Sequence, residues 1–378
     1  MIQVEASIRS LQDSNPLSHS LNVRSLDILA RAINLFQGSF SLIIVNCNYR
    51  CLRQKILTAL ASQTGLNCQE IYWTESDDTL YAKLQNFWGD YPPEVLAQIP
   101  ALMCLGLEQT RNGKSKNLFL DANLFRDRLK QQLQCPVVLW LSDHELQHFL
   151  ITAPELANLA APPIKFSLSS IELNRKVHQQ VARLFDVAEN PQSPLFLQDL
   201  KIDSDRESFS YSELELARRE LRVEYEQVFP ALEAKLDFAL GRSLWRSPEA
   251  LANEVHQESQ GEVHSVSQIY YQCSLAYWQS VNQQIESGII LFYLGSLWWH
   301  HSFTNRRQTQ SSWIKAKQFF QEAIAAFRQA NRTDLVAKYS RAYSGVLEQL
   351  KQWQELEQWT NLLLPLHRQL PLELAQDY

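Results

Sequence analysis

Five short, unbroken apolar runs punctuate the first 168 residues: Phe40–Cys47, Glu70–Thr74, Ala101–Leu107, Pro136–Leu141 and Ile164–Leu168. A strand with one wet face alternates apolar and polar positions, whereas a strand covered on both faces does not. These runs therefore predict parallel strands packed between helices. The segments between them carry a helical period, in Leu52, Ile56, Leu57 and Leu60 and again in Leu124, Leu129 and Leu133, with Asp121 and Asp77 or Asp78 placed to cap. Strand and helix alternate, which predicts an α/β fold with a doubly wound, mainly parallel five-stranded sheet. Its ligand crevice would lie beyond the carboxyl ends of the strands.

The character changes after about residue 169. Ten of the 14 prolines precede residue 200, and Glu249 to Leu364 contains none. The second half is read as all-α. Leu214, Leu221, Tyr225 and Val228, then Leu232, Leu236 and Leu240, keep a helical period, and aromatic pairs recur at Tyr270/Tyr271, Tyr277/Trp278, Phe292/Tyr293 and Trp298/Trp299. The expected organisation is an α/β domain over residues 1–190, a polar linker over 191–210 and a helical domain over 211–378. Within the last, residues 285–378 follow a tetratricopeptide-like order. Leu291, Leu294-Gly295 and Trp298, then Ala316, Phe320 and Ala323, give large, Leu-Gly, aromatic, then Ala, Phe, Ala. About nine extra residues near His300 to Gln308 are expected to lengthen the turn between the two helices. A second unit, Leu335 to Leu366, keeps a helix pair with Gly345, Leu356 and Leu363.

Length and charge narrow the class. At 378 residues and 45% hydrophobic content the chain can bury a large core and divides into two or three domains. Residues 1–168 hold 14 basic and 15 acidic side chains and the rest hold 21 and 26, so neither half has the basic surplus that nucleic acid or anionic lipid demands. The longest near-continuous apolar run, Ile289 to Trp299, is half the length of a membrane span. Six cysteines without framework spacing read as reduced thiols of a cytoplasmic protein, and Cys47-x-x-x-Cys51 as buried structural thiols rather than a redox pair.

Candidate chemistry is sparse. The ten glycines are never closer than seven positions, as at Gly106/Gly113 and Gly288/Gly295, which excludes both common phosphate-binding glycine loops. The turn after the first strand, Asn46 to Lys55, instead carries Asn48, Tyr49 and Arg50 where a backbone must approach phosphate. Arg50, Arg53 and Lys55 are its weak candidates for holding a nucleotide. Gly113-Lys114-Ser115 reads as an exposed turn. Glu108, at the end of the third strand, stands where an ATPase acid would hold magnesium or orient water, and is read here as a relict or solvated acid. His144-Glu145-Leu146-Gln147-His148 is a literal H-E-x-x-H, the zinc-hydrolase spacing, with Glu155 or Glu172 as a third ligand. On a helix capped by Ser142 or Asp143 both histidines turn away from the packing face of Leu146, Phe149, Leu150 and Ala153, so a solvated face is expected instead. His300-His301 cannot chelate from adjacent helical positions and reads as a core-edge pair. The aromatic run from Phe292 to Phe320 is read as packing before it is read as a peptide groove.

The runs Phe40 to Tyr49, Pro136 to His144, Ala153-Pro-Glu-Leu and Phe319 to Lys338 resemble a cyanobacterial family. In that family a degenerate P-loop domain, similar to that of signal-transduction ATPases, precedes tetratricopeptide repeats. The resemblance implies a P-loop-like sheet without its phosphate loop, and a cytoplasmic regulatory or scaffold protein holding protein partners through its repeats, with no cofactor. Glu108 is the one position matching a functional ATPase pattern. The alternatives are a nucleotide-gated switch with an atypical loop and a zinc-dependent hydrolase at His144, Glu145 and His148. Lys338 and Arg341 are expected as exchangeable charges on the partner surface.

Overall fold

The computed structural model describes residues 20–74, 79–90, 93–109, 118–193, 208–224, 229–246, 260–304 and 309–367. Two compact units divide the chain between Ser169 and Ser170. The first runs α1 (Ser20–Leu35), β1 (Ser41–Cys47), α2 (Arg50–Thr64), β2 (Gln69–Tyr72), α3 (Leu80–Gly89), α4 (Pro93–Leu96), β3 (Leu102–Leu105), a 3-10 turn (Leu107–Gln109), α5 (Leu120–Leu124), α6 (Arg126–Gln132), β4 (Pro136–Leu141), α7 (Asp143–Thr152), α8 (Pro154–Ala157) and β5 (Ile164–Phe166). The five predicted runs form one sheet in the order β2-β3-β4-β1-β5, and every pairing is parallel. The central strands β3 and β4 are buried at every position, which is why their apolar runs are unbroken.

Side chains reach backbone groups at both edges of the sheet. Along β5, the Asn22 amide on α1 donates to Ser167 O at 2.8 Å and accepts from Ser167 N at 3.1 Å, and the Ser25 hydroxyl donates to Lys165 O. At β2, Lys83 Nζ donates to Tyr72 O.

Two expected caps are corrected. Thr79 caps α3, its hydroxyl accepting from Ala82 N, while Asp77 and Asp78 lie outside the described residues. The residue preceding α5 is Phe119, with no side-chain cap bond, and Asp121 sits inside its first turn. The chain breaks at Phe125 between α5 and α6. That break turns Leu124 outward, 63% exposed, so it leaves the stripe predicted with Leu129 and Leu133.

The second unit is α9 (Ser170–Glu189), α10 (Tyr211–Glu224), α11 (Pro230–Arg246), α12 (Gln260–Ser280), α13 (Gln284–Thr304), α14 (Thr309–Gln329), α15 (Thr333–Gln349) and α16 (Trp353–His367). The boundary therefore falls before α9 rather than after residue 190. Packing decides it, because α9 buries Leu173, Val177, Val181, Leu184, Phe185 and Ala188. Phe185 lies 4.8 Å from the Phe238 ring on α11 and 6.1 Å from Trp278 on α12. The Gln180 amide brackets the backbone N–H and carbonyl of Phe209. Of the expected linker, residues 194–207 lie outside the described residues, as do Tyr225 and Val228.

Helix hairpins repeat one turn. After α12, α14 and α15 the chain passes through a left-handed residue, Asn282, Asn331 and Lys351, at φ near 56°, 55° and 56°. Each time the next N–H closes back on the helix, Gln283 to Trp278 O, Arg332 to Phe327 O and Gln352 to Leu347 O. This is a Schellman closure, and Asn tolerates the left-handed region better than most residues. Between α13 and α14 a glycine meets a ring: a Cβ on Gly288 would come within 2.6 Å of Phe327, and one on Gly295 within 2.6 Å of Phe320. Leu294, Ala316, Phe320 and Ala323 are buried as expected of a repeat core. Trp298 departs from that expectation. It is half-buried, with Lys315 Nζ 3.9 Å above its ring and His301 beside it. The extra residues near 300 also behave differently from expectation, since His300 to Thr304 extend α13 and residues 305–308 lie outside the described residues.

Arg218 ties α10 to α11, reaching Glu233 at 2.7 Å and Asp237 at 2.9 Å. Burial pushes the Asp237 carboxyl up to about 6 despite Arg218. An acid raised in the folded state binds its proton more tightly there, so its contribution to stability falls as pH rises from about 4 to about 6. Asp237→Asn should gain stability relative to the parent chain across that window, measured as the difference between their urea midpoints at pH 4 and pH 7. Gly295→Ala should lower the unfolding free energy by about 1–3 kcal/mol, because the ring of Phe320 is fixed by Phe292 and Trp299. Gly89→Ala, where a Cβ meets open space, should change little in the same denaturation series.

Candidate functional site

The strand order makes the carboxyl ends of β1 and β4 the switch point of the sheet. β1 connects onward to β2 at one edge and β4 connects to β5 across β1, so their following helices diverge. The turn after β1 and the start of α7 meet there.

Two sets of side chains close this end. Arg53, one turn into α2, is 4% exposed and points back beneath its own turn. Its Nε donates to Cys47 O at 3.0 Å, and its Nη1 donates to both carboxylate oxygens of Glu108 at 2.9 Å. Glu108 is thus the partner of a buried guanidinium rather than the relict or solvated acid expected from sequence. Gly106 makes this approach possible: its φ is +78° and a Cβ there would come within 2.7 Å of Trp73 O, so only glycine lets β3 turn into the 3-10 segment carrying Glu108.

The second set joins β1 to α7. Asp143 accepts from Asn46 Nδ2 at 3.0 Å and Asn48 Nδ2 at 2.9 Å, and its own N–H donates to Asn48 Oδ1 at 2.8 Å. Tyr49 precedes α2 with its side chain 2% exposed, in the space where a phosphate loop would place glycine. Arg50 and Lys55 are half-buried on α2. Of the three basic candidates in this turn, Arg53 is therefore drawn into the protein and used there.

The histidine motif lies on α7, which Ser142 caps by accepting from Glu145 N. Glu145 belongs to this cap. It is 6% exposed, hydrogen-bonded to the Ser142 hydroxyl and 3.2 Å from His144 Nδ1. It has the Ser-x-x-Glu spacing of a capping box, legible in the sequence, and its carboxylate accepts from the hydroxyl of the cap residue. Glu145 turns inward and joins Phe149 and Ala153 on the buried face, with Leu146 packed half-buried against the core, so that of the predicted face only Leu150, 49% exposed, departs. The His144 side chain is 76% exposed, and His148 packs half-buried against the Phe119 ring at 5.8 Å. Burial, followed by His144, holds the His148 imidazole below its usual pKa. Glu155 pairs with Arg126 at 2.5 Å. Among the described residues no group of three His, Cys, Asp or Glu side chains is placed to hold a metal ion.

In the last turns of α13, His301 Nδ1 lies 3.2 Å from Ser312 Oγ and His300 is exposed. Lys338 is not the free surface charge expected, being 5% exposed, whereas Arg341 is exposed. Among the described residues no helix is long and apolar enough to cross a membrane. No protein-family model, curated protein or solved structure matches this chain.

Sequence reasoning named Asn46 and Asn48 only as turn residues and Asp143 only as a cap, and missed the contact that joins them. Their signal was two asparagines at the end of an apolar run and an acid at the start of the helix that follows β4.

A double-mutant cycle should expose the first closure. Arg53→Met leaves Glu108 and Cys47 O without their donor and should cost about 3 kcal/mol, the order expected for breaking a largely buried pair. The Arg53→Met/Glu108→Leu chain should be less destabilised than the two single losses combined, read from urea denaturation.

Proposed function

We propose that this chain is a non-catalytic interaction protein of the cytoplasm. In this reading its α/β unit is NTPase-like with a closed phosphate site, and its helical unit is a tetratricopeptide-like platform for protein partners. The observation that carries it is the Arg53 guanidinium, bound to Cys47 O and Glu108 at the carboxyl end of β1. In a working phosphate site a cation there faces the nucleotide and the acid faces magnesium. Here each neutralises the other, and Tyr49 fills the approach.

The helical half supports the platform part through its paired helices, their repeated left-handed turns and the glycine–ring contacts of α13 and α14. These are the means by which helix pairs stack in register.

Calorimetry with ATP and GTP in the presence of magnesium tests the reading. No binding tighter than about 1 mM, roughly 4 kcal/mol, is expected. Micromolar binding abolished by Lys55→Ala would overturn it in favour of a nucleotide-gated switch.

A further inference from the structure

Helix α1 carries two opposite stripes, and the inner one holds it to its unit. Leu26, Leu29 and Ile33 share one face of the helix, and all three are buried. Asn22 and Ser25 fasten the same helix to Ser167 and Lys165 at β5. The outer stripe is Arg24, Ile28, Arg31 and Leu35, which fall within about 60° of one another around the helix axis. All four are exposed, Ile28 by 46% and Leu35 by 76%.

This outer stripe is unlike an ordinary wet helix face. A solvated face sets polar residues opposite the buried ones, whereas here cation and aliphatic side chain alternate at steps of four, three and four residues. Among the described residues neither guanidinium is held by an ion pair or a hydrogen bond, and Asp27, on the flank of the stripe, closes on neither. Arginine is enriched, and lysine and glutamate are depleted, where proteins meet. The stripe holds two arginines and neither of the others.

Charge decides what covers it. Arg24 and Arg31 stand about 10 Å apart along the axis at the helical rise, a spacing met by two carboxylates seven residues apart on a facing helix. A second copy of this chain meeting the same stripe would set guanidinium against guanidinium, since a two-fold contact pairs a patch with itself. An anionic lipid surface is held by clusters of about four to eight cations, and the stripe offers two on a chain of net charge −6.

We propose that the outer face of α1 is a docking surface for an amphipathic helix of another protein, one that carries carboxylates seven residues apart with aliphatic side chains between them. Arg24 and Arg31 each take a carboxylate, and Ile28 and Leu35 pack against the aliphatic positions. The inference goes beyond the helical platform, because it gives the α/β unit an interaction face of its own.

The test uses the full chain and a labelled peptide of about 20 residues, enough for five helical turns. The peptide is alanine with glutamate and leucine alternating on one face at the same four-three-four steps. By fluorescence anisotropy the parent chain should bind it in the micromolar range, more weakly as salt rises. Arg24→Glu with Arg31→Glu should weaken binding at least tenfold, as should Leu35→Ser alone, with the urea midpoints unchanged because these side chains are exposed. Lys130→Glu, the same charge reversal on the exposed face of α6, should leave binding as it was. A parent chain that ignores the peptide overturns the proposal, as does equal binding by the double arginine variant or equal binding of a peptide with lysine in place of glutamate. Capture of the chain by phosphatidylserine vesicles, lost with the same two arginines, would make the ligand a lipid surface and overturn it too. So would a dimer in sedimentation that Leu35→Ser dissociates, which would make the partner a second copy.

Discussion

A cation taken out of water must be given acceptors at once, since an unpaired buried charge costs several kcal/mol. Each unit of this protein meets that demand at a buried cation, the first with a main-chain carbonyl and a carboxylate, the second with main-chain carbonyls and a hydroxyl. Arg53 fixes the turn after β1 by holding Cys47 O, and draws the segment after β3 toward it through Glu108. Lys338 brings the end of α9 onto α15, and burial pulls its amine down to about 8. In each case a side chain that composition would assign to the surface sets the path of a backbone far away in sequence.

The architecture was legible where periodicity is decided by burial alone. Four of the five strands fall within their apolar runs, most plainly β3 and β4, which have no wet face to break the pattern, while the edge strand β2 starts one residue ahead of its run. The helix pairs from α13 onward were legible for the same reason. The boundary was less so, because α9 is amphipathic and could pack on either unit, and its contacts with Phe238 and Trp278 lie beyond any local window. Lys338 was misread because nothing local distinguishes a lysine facing solvent from one facing a helix end. At the candidate site, Glu108 and Arg53 were each noticed, yet their pairing depends on a chain path that only Gly106 permits. The H-E-x-x-H string misled in the opposite way, since its glutamate belongs to the cap of α7.

The economy of glycine has a structural meaning. With only ten in 378 residues, the chain places Gly288 and Gly295 where aromatic rings sit directly on a neighbouring helix. In the helical unit the left-handed helix ends at Asn282, Asn331 and Lys351 are given to residues with side chains, whereas in the α/β unit Gly65 takes the left-handed end of α2. The helical unit therefore stacks large rings against backbone rather than interleaving aliphatic side chains, which makes its spacing sensitive to single methyl groups.

The covered edges of the sheet bear on how this protein behaves in a crowded solution. An open strand offers a row of unmet amide groups that another chain can pair with, and a parallel sheet of short strands has two such rows. Asn22 answers Ser167, directly after β5, as a neighbouring strand would, donating and accepting there, and Lys83 occupies the last carbonyl of β2. A chain arriving at either edge finds those hydrogen bonds already taken. At those positions growth of the sheet from one molecule into the next is discouraged by a helix-borne amide and a single lysine.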